Sequence, residues 1–135
     1  MDFRALWAAV PLLLLFVGRS DARPIIFYRG VLNAASFVPP GLPNGGIARG
    51  SIFSIFGRDL GPANGVLVTE FPLAAELGGV SIEICQGESC VAAIPLFVRA
   101  DQINAIMPSN APLGRVSVRV TFQGEAGNWL SVQTV

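Results

Sequence analysis

The chain has 135 residues, enough for one domain, and its nine basic and nine acidic residues cancel to zero net charge. This balance, without any basic cluster, argues against nucleic acid as a partner. The chain contains no histidine, which excludes Ser-His-Asp and Cys-His catalysis and most zinc sites. All nine basic residues are scattered arginines, which we interpret as coding bias rather than as phosphate- or carboxylate-binding forks.

Residues 1–22 have the features of a secretory signal peptide. Arg4 supplies a positive charge, residues 5–17 are apolar, and Ser20 and Ala22 place small residues before a predicted cleavage site. The alternative is an uncleaved anchor, but the apolar stretch is shorter than the roughly 20 residues of a membrane span. We therefore expect a secreted protein, extracellular or periplasmic, whose mature chain of residues 23–135 has no integral membrane span.

Short β-type runs separated by glycine and proline follow the signal peptide. A loop with three prolines and three glycines occupies 38–46, a crossing loop with some helical propensity occupies 71–77, and a turn occupies 123–128. We predict an all-β, immunoglobulin-like sandwich of about eight strands. The predicted strands are 25–28, 51–56, 66–69, 80–84, 91–98, 103–107, 115–122 and 129–135.

Two of these strands carry patterns that predict their burial. Residues 51–56 are apolar at odd and even positions, which favours a strand that is covered on both faces or lies between a sheet and a loop. The strand 115–122 alternates instead, so one face meets the core and the other meets solvent. Its core face consists of Val116, Val118, Val120 and Phe122, and its solvent face of Ser117, Arg119 and Thr121.

The two cysteines, Cys85 and Cys90, flank a short segment that contains Gly87. The strand-like runs on both sides predict a β-hairpin in which the cysteines face each other and form a disulfide in an oxidising compartment. A redox pair would normally have two intervening residues, and a metal site would need more ligands. We therefore favour a structural disulfide that holds the tip of the hairpin.

Four segments, taken in order, resemble a known family. They are Asn-Ala-Ala-Ser-Phe at 33–37, the glycine-bounded strand at 50–57, Leu-Gly-Gly-Val at 77–80 and Gln-Ile-Asn at 102–104 before Pro108. They resemble the Solibacter-type C-terminal domain of secreted acidobacterial proteins. A shorter pattern resembles IPT/TIG immunoglobulin-like domains: a strand ending in glycine, a strand led by two glycines, a strand ending in proline, and a glycine-led strand with valine at alternate positions. The resemblance implies an exported domain of an uncharacterised family. That family domain continues into a second half, so we expect either a stand-alone module or a sandwich truncated at its C-terminus.

Polar residues near two strand ends are candidates for ligand contact. Arg58 and Asp59 follow one strand, while Asp101 and Gln102 precede another, and loops of a sandwich cluster at its ends. Asp101, Gln102 and Asn104 would form a hydrogen-bonding rim for a sugar or peptide, but we favour the interpretation that Asp101 and Asn104 satisfy backbone groups at a strand entrance. A cation site beside Arg58 would have only Asp59 and Asn64 as side-chain oxygen ligands, which are too few for calcium.

Trp129 is the remaining candidate contact residue. With Phe122 and Tyr28 it would form an aromatic platform for sugar, although burial in the core is the usual position of such side chains. Ser36 beside Asn33 has no base to activate it, so we interpret that segment as a turn.

These observations predict a non-catalytic structural or interaction module of the cell envelope or exterior, bound to an unknown protein or a glycan. We assign no catalytic residue, cofactor or metal. The alternatives are a carbohydrate-binding module, a fragment of a larger secreted protein, or an enzyme. An enzyme of the glycosidase type would need Asp59 and Asp101 to face each other at roughly 5–9 Å.

Overall fold

Residues 22–135 are described by a computed structural model, in which they form ten β-strands and no helix. The predicted signal peptide lies outside the described residues except for Ala22. No helix within the described range is both long and apolar enough to cross a membrane. The strands are β1 (Ile25–Asn33), β2 (Ile52–Arg58), β3 (Val66–Leu67), β4 (Glu76–Leu77), β5 (Val80–Gln86), β6 (Ser89–Ala92), β7 (Ile94–Val98), β8 (Gln102–Ile106), β9 (Gly114–Phe122) and β10 (Glu125–Thr134).

The strands pair into two antiparallel sheets, which confirms the predicted immunoglobulin-like β-sandwich. The first sheet has the order β1-β2-β8-β7-β3, and the second has the order β10-β9-β5-β4, with β6 also paired to β5. Because β9 occupies one edge of β5, β4 and β6 share its other edge at opposite ends.

Two differences raise the number of strands from about eight to ten. The predicted strand 91–98 is divided at Ala93, so that β6 belongs to the second sheet and β7 to the first. Ala93 is buried at this crossing, and its N–H donates to the Ile82 carbonyl at 3.0 Å. The predicted crossing loop 71–77 ends in the two residues of β4 rather than in any helical turn.

The turn predicted at 123–128 was too long, because β10 already begins at Glu125. Gln123 and Gly124 alone connect β9 to β10, and both have positive φ, of 50° and 81°. Two consecutive positive φ values are the mark of the tight hairpin turn that follows the twist of its strands. The turn has Gln-Gly in place of the Asn-Gly or Asp-Gly pair that usually predicts such a turn from sequence.

The core lies between the two sheets and is formed by their inward-facing residues. The alternation predicted for β9 is confirmed, since Val116, Val118 and Val120 are buried while Ser117 and Arg119 are partly exposed. The other buried apolar side chains come from both sheets and include Phe53, Ile55, Val80, Ile82, Ile84, Val98, Ile103 and Met107.

The pairing of β1 with β2 is irregular on the side of the sandwich where β1 lies next to β10. Residues 27–30 of β1 stand opposite the single residue Phe56, because the register jumps between Ile26 and Val31. Further along, Ile47 bridges to β10, with its N–H bonded to the Gln133 carbonyl at 2.8 Å and its carbonyl to the Val135 N–H at 3.0 Å. The segment between these points, the loop 38–46, therefore runs beside β10.

Candidate functional site

The two polar pairs predicted as contact residues lie at the same end of the first sheet. Phe56 of β2 is paired with Gln102 of β8, so the end of β2 meets the start of β8. The Gly57 N–H donates to the Asp101 carbonyl at 3.2 Å, and the Leu60 N–H donates to the Ala100 carbonyl at 2.9 Å. The exposed Arg58–Asp59 turn is thereby held beside Asp101.

The carboxylate of Asp101 is bound by its neighbour Arg99. Arg99 Nε donates to one carboxylate oxygen at 2.6 Å and Arg99 Nη2 to the other at 3.2 Å. The hydrogen bonds from Arg99 hold the pKa of Asp101 below its usual value. A carboxyl group that serves as a general acid near neutral pH needs a raised pKa, so this shift does not favour Asp101 as the general acid of a glycosidase-type pair.

Gln102 and Asn104 are tied to each other and to a buried serine. Asn104 Oδ1 accepts hydrogen bonds from Gln102 Nε2 at 3.2 Å and from Ser54 Oγ at 2.8 Å. The expectation that Asn104 satisfies backbone groups was wrong, because both partners are side chains. These side chains project from the outer face of the first sheet, since the intervening Ile103 is buried in the core.

The outer face of the first sheet is apolar around this polar group. Ile52, Ile106 and Ile94 are paired across three neighbouring strands and form an outward-facing line, which we call the isoleucine row. Ile52, at the start of β2, is 47% exposed. The next three residues, Phe53 to Ile55, are all buried, so the middle of this strand is covered on both faces as predicted. Phe37 is 51% exposed, and its ring lies 6.3 Å from that of Phe56 on the same side.

The outer face of the second sheet has the opposite character. Its outward positions on β5 and β9 carry Ser81, Glu83, Ser117, Arg119 and Thr121. An antiparallel sheet with one face in the core normally has a polar second face, as here. The isoleucine row is the apolar part of these two outer faces, with Ile52 exposed and Ile94 and Ile106 partly exposed.

Cys85 and Cys90 form the predicted disulfide across the hairpin of β5 and β6, where they are direct strand partners. Their sulfur atoms and the Glu83 carboxylate lie within 4.8 Å of one another. Because both sulfurs are bonded in the disulfide, neither is available as a thiolate ligand for a metal.

Trp129 lies on the outer face of the second sheet, beside this hairpin. It is paired with Arg119, which is paired in turn with Glu83, and we call the three residues the Trp129 ladder. The Arg119 guanidinium carbon lies 4.3 Å from the centroid of the Trp129 ring, and its Nη2 bonds both Glu83 oxygens, at 3.0 and 3.2 Å. Trp129 is 43% exposed and borders a hollow of about 330 Å³ lined also by Cys85, Gly87 and Ser117.

The three-residue aromatic platform is not formed. Phe122 packs against the core, while Tyr28 is 82% exposed in the irregular part of β1, beside Leu130 and Ser131. Trp129 therefore stands apart from the other two aromatic rings and is stacked on Arg119. Sequence reasoning noticed Arg119 only as part of a solvent-facing pattern, and its stacking partner depends on the pairing of β9 with β10.

The segment at Asn33 and Ser36 is a turn, as interpreted. Asn33 Oδ1 accepts hydrogen bonds from the N–H groups of Ala35 at 2.9 Å and Ser36 at 3.3 Å. This is the arrangement in which an asparagine side chain stabilises the following turn.

The comparison with protein-family models finds no match for this chain, and neither does the comparison with curated proteins.

Proposed function

We propose that the protein is a secreted, non-catalytic interaction module that binds a partner protein on the outer face of its first sheet. The observation that carries this proposal is the outward isoleucine row with the exposed Phe37 beside it. Apolar side chains grouped on one surface of a soluble domain gain free energy when another surface covers them. The resemblance to exported immunoglobulin-like domains of the IPT/TIG type and to the Solibacter-type family agrees with this role.

Two features support a location outside the cytoplasm, in the periplasm or beyond the cell. The first is the predicted signal peptide. The second is the Cys85–Cys90 disulfide, since such bonds form and persist in oxidising compartments and are rare in a reducing cytoplasm.

The chemistry of the face favours a protein as the occupant. A mainly apolar surface with a few fixed polar groups is the usual composition of a protein–protein contact centre. Asn104 Nδ2 and the side-chain oxygen Gln102 Oε1 are the groups that would hydrogen-bond a partner, because Asn104 Oδ1 already accepts from Ser54 Oγ and Gln102 Nε2. In such a contact the isoleucine row would supply buried apolar area, and these polar groups beside it would supply specificity.

The test is an affinity capture from the source organism's own envelope and medium, with the full chain as bait. Ile52→Lys places a charge in the isoleucine row, and Leu113→Lys places the same charge at a similarly exposed residue in the β8–β9 loop. We expect a protein that is retained by the wild type and by Leu113→Lys and lost with Ile52→Lys, and whose purified form binds directly. If the two variants retain the same proteins, the proposed face is wrong.

A glycan-binding function is the second candidate, and the Trp129 ladder favours it. A half-exposed tryptophan held by a stacked arginine presents a rigid apolar plane, and sugar rings bind to such planes through their C–H faces. Trp129 is the only tryptophan of residues 22–135, so its fluorescence reports on this surface alone once the signal peptide is removed.

Titration of the mature protein with soluble bacterial and plant polysaccharides tests this second function. Binding that shifts the Trp129 emission, and that disappears in Trp129→Ala but persists in Phe71→Ala, would establish it. Phe71 is the matched control because it is an exposed aromatic residue at a different place in the fold. Binding that survives Trp129→Ala would place the sugar elsewhere.

A further inference from the structure

Part of the outer edge of β10 has unpaired backbone groups. The bonds of Gln133 and Val135 to Ile47 show that these two residues direct their backbone groups away from β9. Because backbone groups along a strand alternate in direction, the N–H and carbonyl of Ser131 point to the same free side. Ser131 lies between two covered points, the bridge to Ile47 and the contact of Asn128 with Ile26. On the side facing away from β9, none of the described strands pairs with it.

This stretch of edge lies in a groove, which we call the edge groove. One wall is the irregular part of β1 with Tyr28 and Arg29, and the other wall is the turn at Pro40 and Gly41. Two adjoining hollows of about 320 and 220 Å³ share Pro40, Gly41, Arg115 and Ser131 in their lining. The groove therefore has room for a polypeptide segment beside β10.

The edge groove is positively charged. Arg29 reaches it from β1 and Arg115 from β9, and both residues are exposed. Three ion pairs are found within residues 22–135, and neither of these arginines belongs to one. None of the described residues that line the two hollows is acidic.

We propose that the edge groove binds an extended, acidic polypeptide segment, which adds to the second sheet as a strand beside β10. The backbone of the segment would pair with Ser131, and its carboxylates would accept hydrogen bonds from Arg29 and Arg115. An added strand would supply partners for the free N–H and carbonyl of Ser131. We infer that the segment is acidic because two arginines of the groove have no carboxylate partner. This site is separate from the isoleucine row and does not depend on the function proposed there.

A second copy of the chain fits the groove poorly. Two copies related by a two-fold axis and paired through β10 would each present the exposed β10 residues Ser131 and Gln133 to the groove of the other. Neither residue carries a negative charge for Arg29 or Arg115 to bind. A segment rich in aspartate or glutamate supplies that charge.

The test uses the full chain, processed by the host that exports it, and a short fluorescein-labelled peptide of alternating aspartate and valine. Binding is followed by fluorescence anisotropy. We expect Arg29→Gln and Arg115→Gln each to weaken binding about tenfold, the loss of one charge-assisted contact, and Arg58→Gln to leave it unchanged. Arg58 is the matched control because it is an exposed arginine at the end of β2.

Two altered peptides separate strand addition from simple charge attraction. A peptide with lysine in place of aspartate, and an acidic peptide N-methylated at alternate residues so that it cannot pair with β10, should both fail to bind. Equal binding of the N-methylated peptide, or equal loss with Arg58→Gln, would overturn the proposal. So would a dimer of the chain that Ser131→Pro dissociates, since a second copy would then occupy the edge.

Discussion

The side-chain amide of Asn128 bonds both backbone groups of Ile26. Asn128 Oδ1 accepts a hydrogen bond from the Ile26 N–H at 2.7 Å, and Asn128 Nδ2 donates to the Ile26 carbonyl at 3.1 Å. Asn128 belongs to β10 of the second sheet and Ile26 to β1 of the first, so one side chain joins the two sheets in the manner of a strand partner. The register jump between Ala126 and Trp129 places Asn128 where it reaches β1.

We predict that Asn128→Ala lowers the free energy of unfolding by about 1–3 kcal/mol, because the substitution leaves both backbone groups of Ile26 without partners. Urea denaturation measures this loss, and hydrogen exchange should show that the Ile26 amide is specifically less protected. Asn110→Ala, at an exposed turn, is the matched control and should change stability by a few tenths of a kcal/mol. An unchanged unfolding midpoint for Asn128→Ala would show that water replaces the amide.

The neighbouring Gly127 should not tolerate a side chain. A Cβ at this position would run into the carbonyl oxygen of Pro24, which is backbone and cannot rotate aside. We predict that Gly127→Ala costs about 3 kcal/mol, while Gly87→Ala costs about 1 kcal/mol from its positive φ of 60° alone. Gly87 is a suitable comparison because a Cβ there meets nothing within 4 Å. Equal destabilisation in urea by the two variants would contradict the predicted clash.

The stacking of Arg119 on Trp129 should be measurable as a coupling energy. In a double-mutant cycle with Arg119→Ala and Trp129→Ala, we expect an interaction of about 1 kcal/mol, since the guanidinium is partly shielded from water. Glu83→Gln should cost less than about 1 kcal/mol, because the Glu83–Arg119 pair remains partly exposed. A coupling energy of zero would mean that Trp129 is not held by Arg119, which would also weaken the glycan-binding candidate.

The Arg99–Asp101 pair predicts a dependence on acid. The pKa of Asp101 is lowered in the folded state, chiefly by the hydrogen bonds from Arg99, so the contribution of this pair is present above the unfolded pKa of the carboxyl. It is lost as pH falls through the lower folded pKa. Carboxyl NMR titration should show a midpoint below the usual range for aspartate. Arg99→Gln should raise this midpoint and Arg58→Gln should leave it unchanged, whereas the same midpoint in all three proteins would contradict the assignment.

Local patterns in the sequence determined the class of the fold and several of its parts. The alternation of Val116, Val118 and Val120 with polar residues was enough to orient β9, because a strand has a period of two whatever it pairs with. The position of Gly87 between Cys85 and Cys90 was enough to predict the disulfide hairpin, because the partners are close in the chain. The exposure of Trp129 was one of two alternatives that the sequence left open.

The tertiary structure alone decided which residues meet across the sheets. Ala93 divides one predicted strand between two sheets, although nothing in the sequence marks this position. Asn128 reaches Ile26, and Arg29 and Arg115 face the same groove, although the residues of each pair are far apart in the chain. The isoleucine row also depends on the registers of three strands. A local pattern reports whether a side chain points inward or outward, but its neighbours on that face are chosen by long-range pairing, whose free energy is shared by the whole core.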